Sequence, residues 1–407
     1  MTEPATPVLA VTRERLEVLD AVRGAAILGI LFVNVESLSG YGFVSPSARA
    51  ALPLSEWNGF GAFFLAVFVE AKFYALFSLL FGVGFAVFVE RAAARGADAV
   101  RLFKRRLVGL LLIGLVHTVL IWYGDILVTY ALLGFGLIPF LRKDDRVLLR
   151  SAGFLLVLPA VLYALGAIVV LAFNPPVPSR QDGGLPPILQ EAAGHFAHGS
   201  YPEIVIGNVV FSAANALRRL GLMFFPRVFA MFLIGLHLGR SGAVADLGRH
   251  RPMLRRITAA GLLMGTPFAI AGAVAPERLP LSAALLVEGI AKSIAIPVLT
   301  LAYAAGLALM FMRWQSLMRA FAAPGRMALS NYLLHSVAGV IAFYGIGFGL
   351  YGRLSLVPAL ALAVAVFAVQ IVTSSAWLSI AAFGPAEWLW RCFTYARRFP
   401  LFASARP

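Results

Sequence analysis

His117–Tyr130, HTVLIWYGDILVTY, lies between two long apolar runs and reads as a tight turn at a membrane surface. Gly124 breaks the first helix. Asp125 is placed to cap the second, since a short carboxylate there accepts hydrogen bonds from the free N–H groups of the first turn. His117 precedes Gly124 by seven residues, which sets it about 10 Å below the turn at 1.5 Å per residue. An imidazole inside a membrane span is costly and marks a functional site by default.

The composition agrees with a membrane setting. Of 407 residues, 60% are hydrophobic and 13% charged, and the mean hydropathy is +0.87. Soluble domains carry roughly twice that charged fraction. The single cysteine, Cys392, excludes an intramolecular disulfide and a cysteine-based metal cluster, and no metal is predicted. The net charge of +15 points to Arg-rich cytoplasmic loops with anionic lipid headgroups as partners rather than to nucleic acid. The first apolar run starts near Val18 and contains Asp20 and Arg23, with no clean small-residue cleavage site after it. It is expected to stay as a span.

A span needs about 20 apolar residues. By that measure the chain is expected to be an all-α polytopic membrane protein, a single bundle of about ten transmembrane helices: 20–39, 60–90, 107–123, 126–141, 151–173, 222–239, 257–274, 282–311, 327–349 and 355–381. Arg and Lys concentrate in every second loop, including Arg101, Lys104, Arg105 and Arg106, while Arg49, Arg180, Arg278 and Arg353 stand one per loop on the other side. That alternation predicts cytoplasmic termini. Residues 1–19 form a cytoplasmic segment, 20–381 the transmembrane domain and 382–407 a cytoplasmic interfacial tail. The external loop 174–203 is rich in proline, and 203–221 reads as an interfacial helix on the outer side because Asn208, Asn215, Arg218 and Arg219 interrupt it. No internal repeat is visible. Central helix breaks of the transporter kind have only Pro226, Pro267 and Pro297 as candidates, which counts against that class.

Polar residues inside the spans define the expected site. Asn34, Glu36, His117, Asp125, Arg227, Glu288 and Lys292 all fall in the outer half, with Lys72 near mid-depth and His335 in the inner half of its span. Glu288 and Lys292 are four apart, on one helical face and in the favourable order for an ion pair. These outer-half residues are expected to line one chamber opening outward, floored by Lys72. Apolar walls with a few convergent polar groups are the usual form of a binding site. The plainer readings are a helix cap for Asp125, a structural pair for Glu288 and Lys292, an interhelical hydrogen bond for Asn34 and an interfacial reach for Arg227.

Five stretches resemble a bacterial membrane family of unknown function, the YeiB-like proteins: LDAVRGAAILGILFVN (Leu19–Asn34), KFYALFSLLFGVGF (Lys72–Phe85), GLVHTVLIWYGDILVTYALLG (Gly114–Gly134), GRMALSNYLLHS (Gly325–Ser336) and GPAEWLWRCFTY (Gly384–Tyr395). Together they cover almost the whole chain. The resemblance implies a single all-helical domain in the bacterial cytoplasmic (inner) membrane. The family is more distantly similar to the transmembrane acyltransferases, which move an acyl group from cytoplasmic acyl-CoA to an acceptor across the membrane. That likeness rests on LDAVRG, with Arg23 followed eleven residues later by Asn34, where the O-acyltransferases carry a catalytic His. The heparan glucosaminide enzyme resembles this chain at Trp57-Asn58-Gly59, and its His falls where Leu54 stands. At His335 the YeiB-like pattern usually has Gln.

Two activities are expected from these readings. One is acyl transfer, with His117 as base, Asp125 or Glu36 orienting it, Asn34 and Lys72 facing the oxyanion, and Arg23, Arg227, Glu288, Lys292 and His335 toward substrate. Acyl-CoA would be the donor and an envelope molecule the acceptor. The Arg101–Arg106 cluster could hold CoA phosphates, although positive-inside topology alone accounts for it. The alternative is a transporter or flippase for a small anion or lipid, with Lys72, Arg227 and Lys292 as charge partners.

Overall fold

The structure, a computed structural model, describes residues 13–173, 185–221, 223–243 and 247–402, with side chains from residue 17 onward. Pro175, Pro176, Pro178 and Arg180 of the expected external loop, the first twelve residues and the last five lie outside the described residues.

The described residues hold sixteen α-helices and, apart from an isolated bridge between Ala381 and Phe402, no strand. The first is α1 (Arg13–Leu38), followed by the short α2 (Pro46–Ala50) and α3 (Asn58–Phe64) and then by α4 (Lys72–Ala94). Next come α5 (Ala99–Leu120), α6 (Leu127–Gly136), α7 (Asp145–Phe173), α8 (Pro187–His198), α9 (Tyr201–Gly221) and α10 (Phe224–Arg240). The chain continues through α11 (Arg251–Arg278), α12 (Leu281–Arg313), α13 (Gln315–Arg326), α14 (Ala328–Phe343), α15 (Leu356–Ile380) and α16 (Pro385–Tyr395).

This is a helical membrane protein. Six stretches are long and apolar enough to cross a bilayer: Glu17–Leu38, Ser55–Ala94, Asp145–Phe173, Arg251–Arg278, Leu281–Arg313 and Leu356–Ile380. A seventh joins them if α9 and α10, whose axes differ by 70°, count as one. Each of the ten expected runs carries a helix, but four fall short of a span in length or in apolar character. α5 starts with Lys104, Arg105 and Arg106 in its opening turns. α6 has 10 residues, about 15 Å at 1.5 Å per residue, before Pro139 and a 3₁₀ turn over Ile138–Arg142. α14 stops at Phe343, ahead of the Gly345, Gly347 and Gly349 loop. α10 meets the expected length only together with α9.

The second expected span, 60–90, is not continuous. A π-helical turn over Leu65–Val69 leads into Glu70 and then Ala71, whose φ of 67° is left-handed. A β-carbon disfavours that conformation, so surrounding contacts must hold it. Backbone groups freed by the break are satisfied in place, as a membrane interior demands. Lys72 Nζ donates to the Ala66 carbonyl at 2.6 Å, the Tyr303 hydroxyl to Phe68 O at 2.9 Å and the Thr300 hydroxyl to Lys72 O at 3.3 Å. The three candidate prolines do not break their helices, in line with their weak case. Pro267 and Pro297 lie inside α11 and α12, which run on through them, and Pro226 sits in the first turn of α10, where a missing N–H costs little.

Two glycine contacts set the bundle. A β-carbon on Gly82 of α4 would stand 2.1 Å from Phe232 O, and one on Gly235 of α10 would stand 2.0 Å from Leu79 O. Likewise a β-carbon on Gly24 of α1 would meet Phe321 O at 2.0 Å, and one on Gly325 of α13 would meet Asp20 O at 1.7 Å. Small residues let membrane helices approach to backbone contact, where packing replaces the missing hydrophobic drive. Outward, α7 exposes Phe154, Leu165, Leu171 and Phe173, the surface expected against lipid chains.

Two family-like stretches meet at the tail. Glu387 of α16 accepts from the backbone N–H groups of Leu329 and Ser330 at 2.7 and 3.1 Å, and the Ser330 hydroxyl also donates to it. It thereby satisfies the open first turn of α14. Burial pushes the Glu387 carboxyl up from its ordinary value, against these hydrogen bonds. Trp390 donates to Arg106 O at 2.7 Å while the Arg106 guanidinium lies 3.7 Å from that indole's centre, and Arg105 donates to Phe393 O at 3.0 Å. Two arginines of the Arg101–Arg106 cluster are thus engaged in docking the tail.

Candidate functional site

α5 ends at Leu120, four residues before Gly124. Its last carbonyls find partners on α9: Asn208 Nδ2 donates to Val119 O at 3.2 Å and the Tyr201 hydroxyl to Leu120 O at 2.9 Å. So 203–221, expected as an interfacial helix, packs against the end of α5. The turn that follows is tight, since a β-carbon on Gly124 would stand 2.1 Å from the Trp122 ring. Asp125 Oδ1 then accepts from Val128 N–H at 2.8 Å, capping the first turn of α6 as expected.

The other carboxylate oxygen turns back. Asp125 Oδ2 lies 2.9 Å from His117 Nδ1, and His117 Nε2 lies 2.8 Å from Ser336 Oγ on α14. The carboxylate can only accept here, so Nδ1 carries the proton and donates; Nε2 is left to accept from the Ser336 hydroxyl. This is the order and spacing of a nucleophile, a base and an orienting acid. Ser336 is wholly buried, His117 is 1% exposed and Asp125 4%. The Tyr332 ring lies 5.3 Å from the imidazole, and its hydroxyl accepts from Ile126 N–H at 3.1 Å.

A cavity of about 1070 Å³, including its open mouth, lies beyond this relay. Its walls include Asn34, Arg227 and Lys292 from the expected chamber, and Glu70, Arg218 and Arg219 beside them. A second cavity of about 610 Å³ holds Lys72 and Glu288 in its wall and shares Glu70, Ala71, Lys292 and Ile296 with the first. Lys292 Nζ donates to Glu288 Oε1 at 2.6 Å, the pair expected from their spacing.

The single expected chamber is therefore three compartments. His117 and Asp125 are walled off from the first cavity, whose lining there is Trp122, Gly124, Ile126 and Tyr332. Glu36 lines neither cavity, and among the described residues it is Asp125 that orients His117. Asn34 and Lys72 are not among the groups bonded to His117. Arg23 is bound to Asp20 at 2.8 Å on α1, outside both cavities. His335 faces Gln370 of α15, whose amide donates to Asn331 O at 3.1 Å, so it ties α14 to α15. Adjacent residues on a helix point about 100° apart at 3.6 residues per turn, which is why His335 and its neighbour Ser336 serve different contacts. Ser336 was missed because a membrane serine usually bonds its own helix; its signal was its place at the end of the GRMALSNYLLHS stretch.

Relatives that match along nearly the full length include two bacterial proteins. The uncharacterized protein YxaH of Bacillus subtilis (strain 168) is 33% identical over 404 residues, covering 96% of each chain. The uncharacterized protein YeiB of Escherichia coli (strain K12) is 32% identical over 397 residues, covering 94% of this chain and 96% of its own. This chain belongs to the YeiB-like family of membrane proteins of unknown function. The family described as "Protein of unknown function (DUF418)" matches residues 238–397, a range that holds Lys292, Ser336 and Glu387 but not His117 or Asp125. The YeiB-like stretches Gly114–Gly134 and Gly325–Ser336 together supply the whole relay. No solved structure matches the chain.

Proposed function

We propose that this YeiB-like protein is a membrane-embedded acyltransferase that takes an acyl group from cytoplasmic acyl-CoA and passes it to an acceptor at the outer side. In this reading the chain crosses the bacterial inner membrane about ten times with both termini cytoplasmic, the arrangement that its loop charges favour. The observation that carries the proposal is the hydrogen-bonded chain Asp125–His117–Ser336.

The chemistry follows from the donor directions. Ser336 Oγ attacks the thioester carbonyl while its proton passes to His117 Nε2. The C–S bond breaks, and the departing thiolate takes that proton to leave as CoA thiol. An acceptor hydroxyl or amine then attacks the acyl-Ser336 ester, giving its proton to His117, and Ser336 Oγ regains a proton as the acyl–O bond breaks. Asp125 holds the tautomer and balances the imidazolium throughout. Ser336 is enclosed in the arrangement described here, so an acceptor in the first cavity reaches it when the Tyr332 and Trp122 wall swings aside. Arg101 and Lys104 remain for CoA phosphates, because Arg105 and Arg106 are engaged by the tail.

The test is incubation of purified protein with labelled acyl-CoA, followed by mass spectrometry of the Ser336 peptide. An acyl adduct on Ser336, absent in Ser336→Ala and slowed about a thousandfold or more in His117→Ala, is the expected result. A protein that folds and binds acyl-CoA yet never carries the adduct removes the reading.

One observation favours the second reading, transport or flipping of a small anion or lipid. The helix break at Leu65–Ala71 lies where the two cavities meet, and broken helices at such junctions serve transporters. Uptake of anions into vesicles with no adduct formation would select it.

A further inference from the structure

The first cavity holds more positive charge than its walls use. Arg218, Arg219, Arg227 and Lys292 line it against the carboxylate of Glu70. Lys292 is bound by Glu288. Arg218, however, donates to the Asn215 side-chain oxygen at 2.9 Å, and Arg219 to the Thr129 hydroxyl at 3.3 Å with its guanidinium 5.1 Å from the Phe224 ring centre. Among the described residues neither arginine has a carboxylate within ion-pair distance. A guanidinium has about five N–H donors, so one neutral partner leaves donors to spare. Positive-inside topology does not explain these charges either, since in the orientation proposed above they stand on the outer side, where Lys and Arg are scarce.

We infer that this cavity binds a phosphate-bearing acceptor, its phosphate held by Arg218 and Arg219 with Arg227 and Lys292 adding charge. Phosphate fits better than a carboxylate. Adjacent guanidinium forks can each engage two oxygens, and a carboxylate has only two to offer. The acceptor is a lipid headgroup or a water-soluble phosphate ester, and the contiguous second cavity bears on the choice. Its wall between α11 and α12 offers Phe268 and the small side chains of Ala269, Gly272, Ala291 and Ala295, with Glu70, Lys72, Glu288 and Lys292 lining the rest; the apolar part would take a hydrocarbon chain. The inference takes the acceptor role from the acyl-transfer reading; the binding itself does not depend on it.

The experiment measures thermal stabilisation of the full chain carrying Ser336→Ala, so that acyl transfer is already silent and its failure cannot be confused with failure to bind. Phosphatidic acid, phosphatidylcholine and inorganic phosphate are titrated separately. A bound ligand raises the melting temperature in proportion to its saturation. Stabilisation by phosphatidic acid well above phosphatidylcholine supports a lipid source, and stabilisation by inorganic phosphate alone supports a soluble ester. In either case Arg218→Gln with Arg219→Gln weakens binding by about tenfold or more, while the ligand-free melting temperature stays put. The single Arg218→Gln variant, on an exposed residue, gives the same direction if the pair folds poorly. Equal response to all three ligands, or unchanged binding in the variants, overturns the inference.

Discussion

Two polar regions flank the wall made by Trp122, Ile126 and Tyr332, and they are built by opposite rules. On one side, Asp125, His117 and Ser336 are enclosed, and each is bonded to the next. On the other side, Arg218 and Arg219 border an open cavity, and among the described residues their hydrogen-bond partners are neutral. A buried polar group without a partner costs free energy, so the relay tolerates no loose end. A group in contact with solvent bears no such penalty, so the cavity can hold charge in reserve for a ligand. The same residue types thus answer to stability in one place and to binding in the other.

The comparison is most easily broken at Asp125. Asp125→Ala removes both the partner of His117 and the cap of Val128, and breaking a buried charged pair of this kind costs about 3–5 kcal/mol. Chemical denaturation in detergent should register that loss, with Asp125→Asn markedly milder because an amide oxygen still accepts. A stability loss under about 1 kcal/mol for Asp125→Ala would mean that the relay is less enclosed than its burial implies. Gly235→Val should come next, at about 1–3 kcal/mol of overpacking, because a β-carbon there strikes the Leu79 carbonyl. Normal thermal stability in that variant would show that α4 and α10 can separate.

Ser336→Ala leaves His117 Nε2 without its donor at a cost of about 1–3 kcal/mol, while abolishing the acyl adduct. On the open side, Arg218→Gln should change stability by less than about 0.5 kcal/mol and act on binding alone. A drop as large as that of Ser336→Ala would erase the contrast. The smallest effect is a pH dependence at the tail. Burial raises the Glu387 carboxyl above its ordinary value of 4.5, so the folded chain holds that proton more tightly than the unfolded one. Its contribution to stability is full below the unfolded value and is lost as pH rises through the folded one. Glu387→Gln should flatten that segment of the stability–pH curve, as a melting series across it would record.

Parts of the site were legible because they are local. Asp125 lies eight residues from His117 across one turn, so capping chemistry placed it at the start of α6 and the same carboxylate could reach back. Glu288 and Lys292 pair because a helix puts residues four apart on one face. The break at Ala71 was not legible: no proline or glycine stands there, and its left-handed backbone is held by Lys72, Tyr303 and Thr300, two of them more than two hundred residues away. The wall of Trp122 and Tyr332 was hidden for the same reason.

The sequence by itself determined that this is a helical membrane protein, because hydrocarbon rejects unpaired backbone and the chain is apolar in helix-length runs. It also determined the turn at Gly124 and the cap at Asp125. Only the tertiary structure decided that Ser336, 219 residues from His117, completes the relay, that Glu387 caps α14 and that four cations share one cavity. Those contacts depend on how helices pack side by side. Packing is set by glycine-to-backbone approaches such as Gly82 with Phe232 and Gly325 with Asp20, which leave no trace in the period or composition of either helix alone.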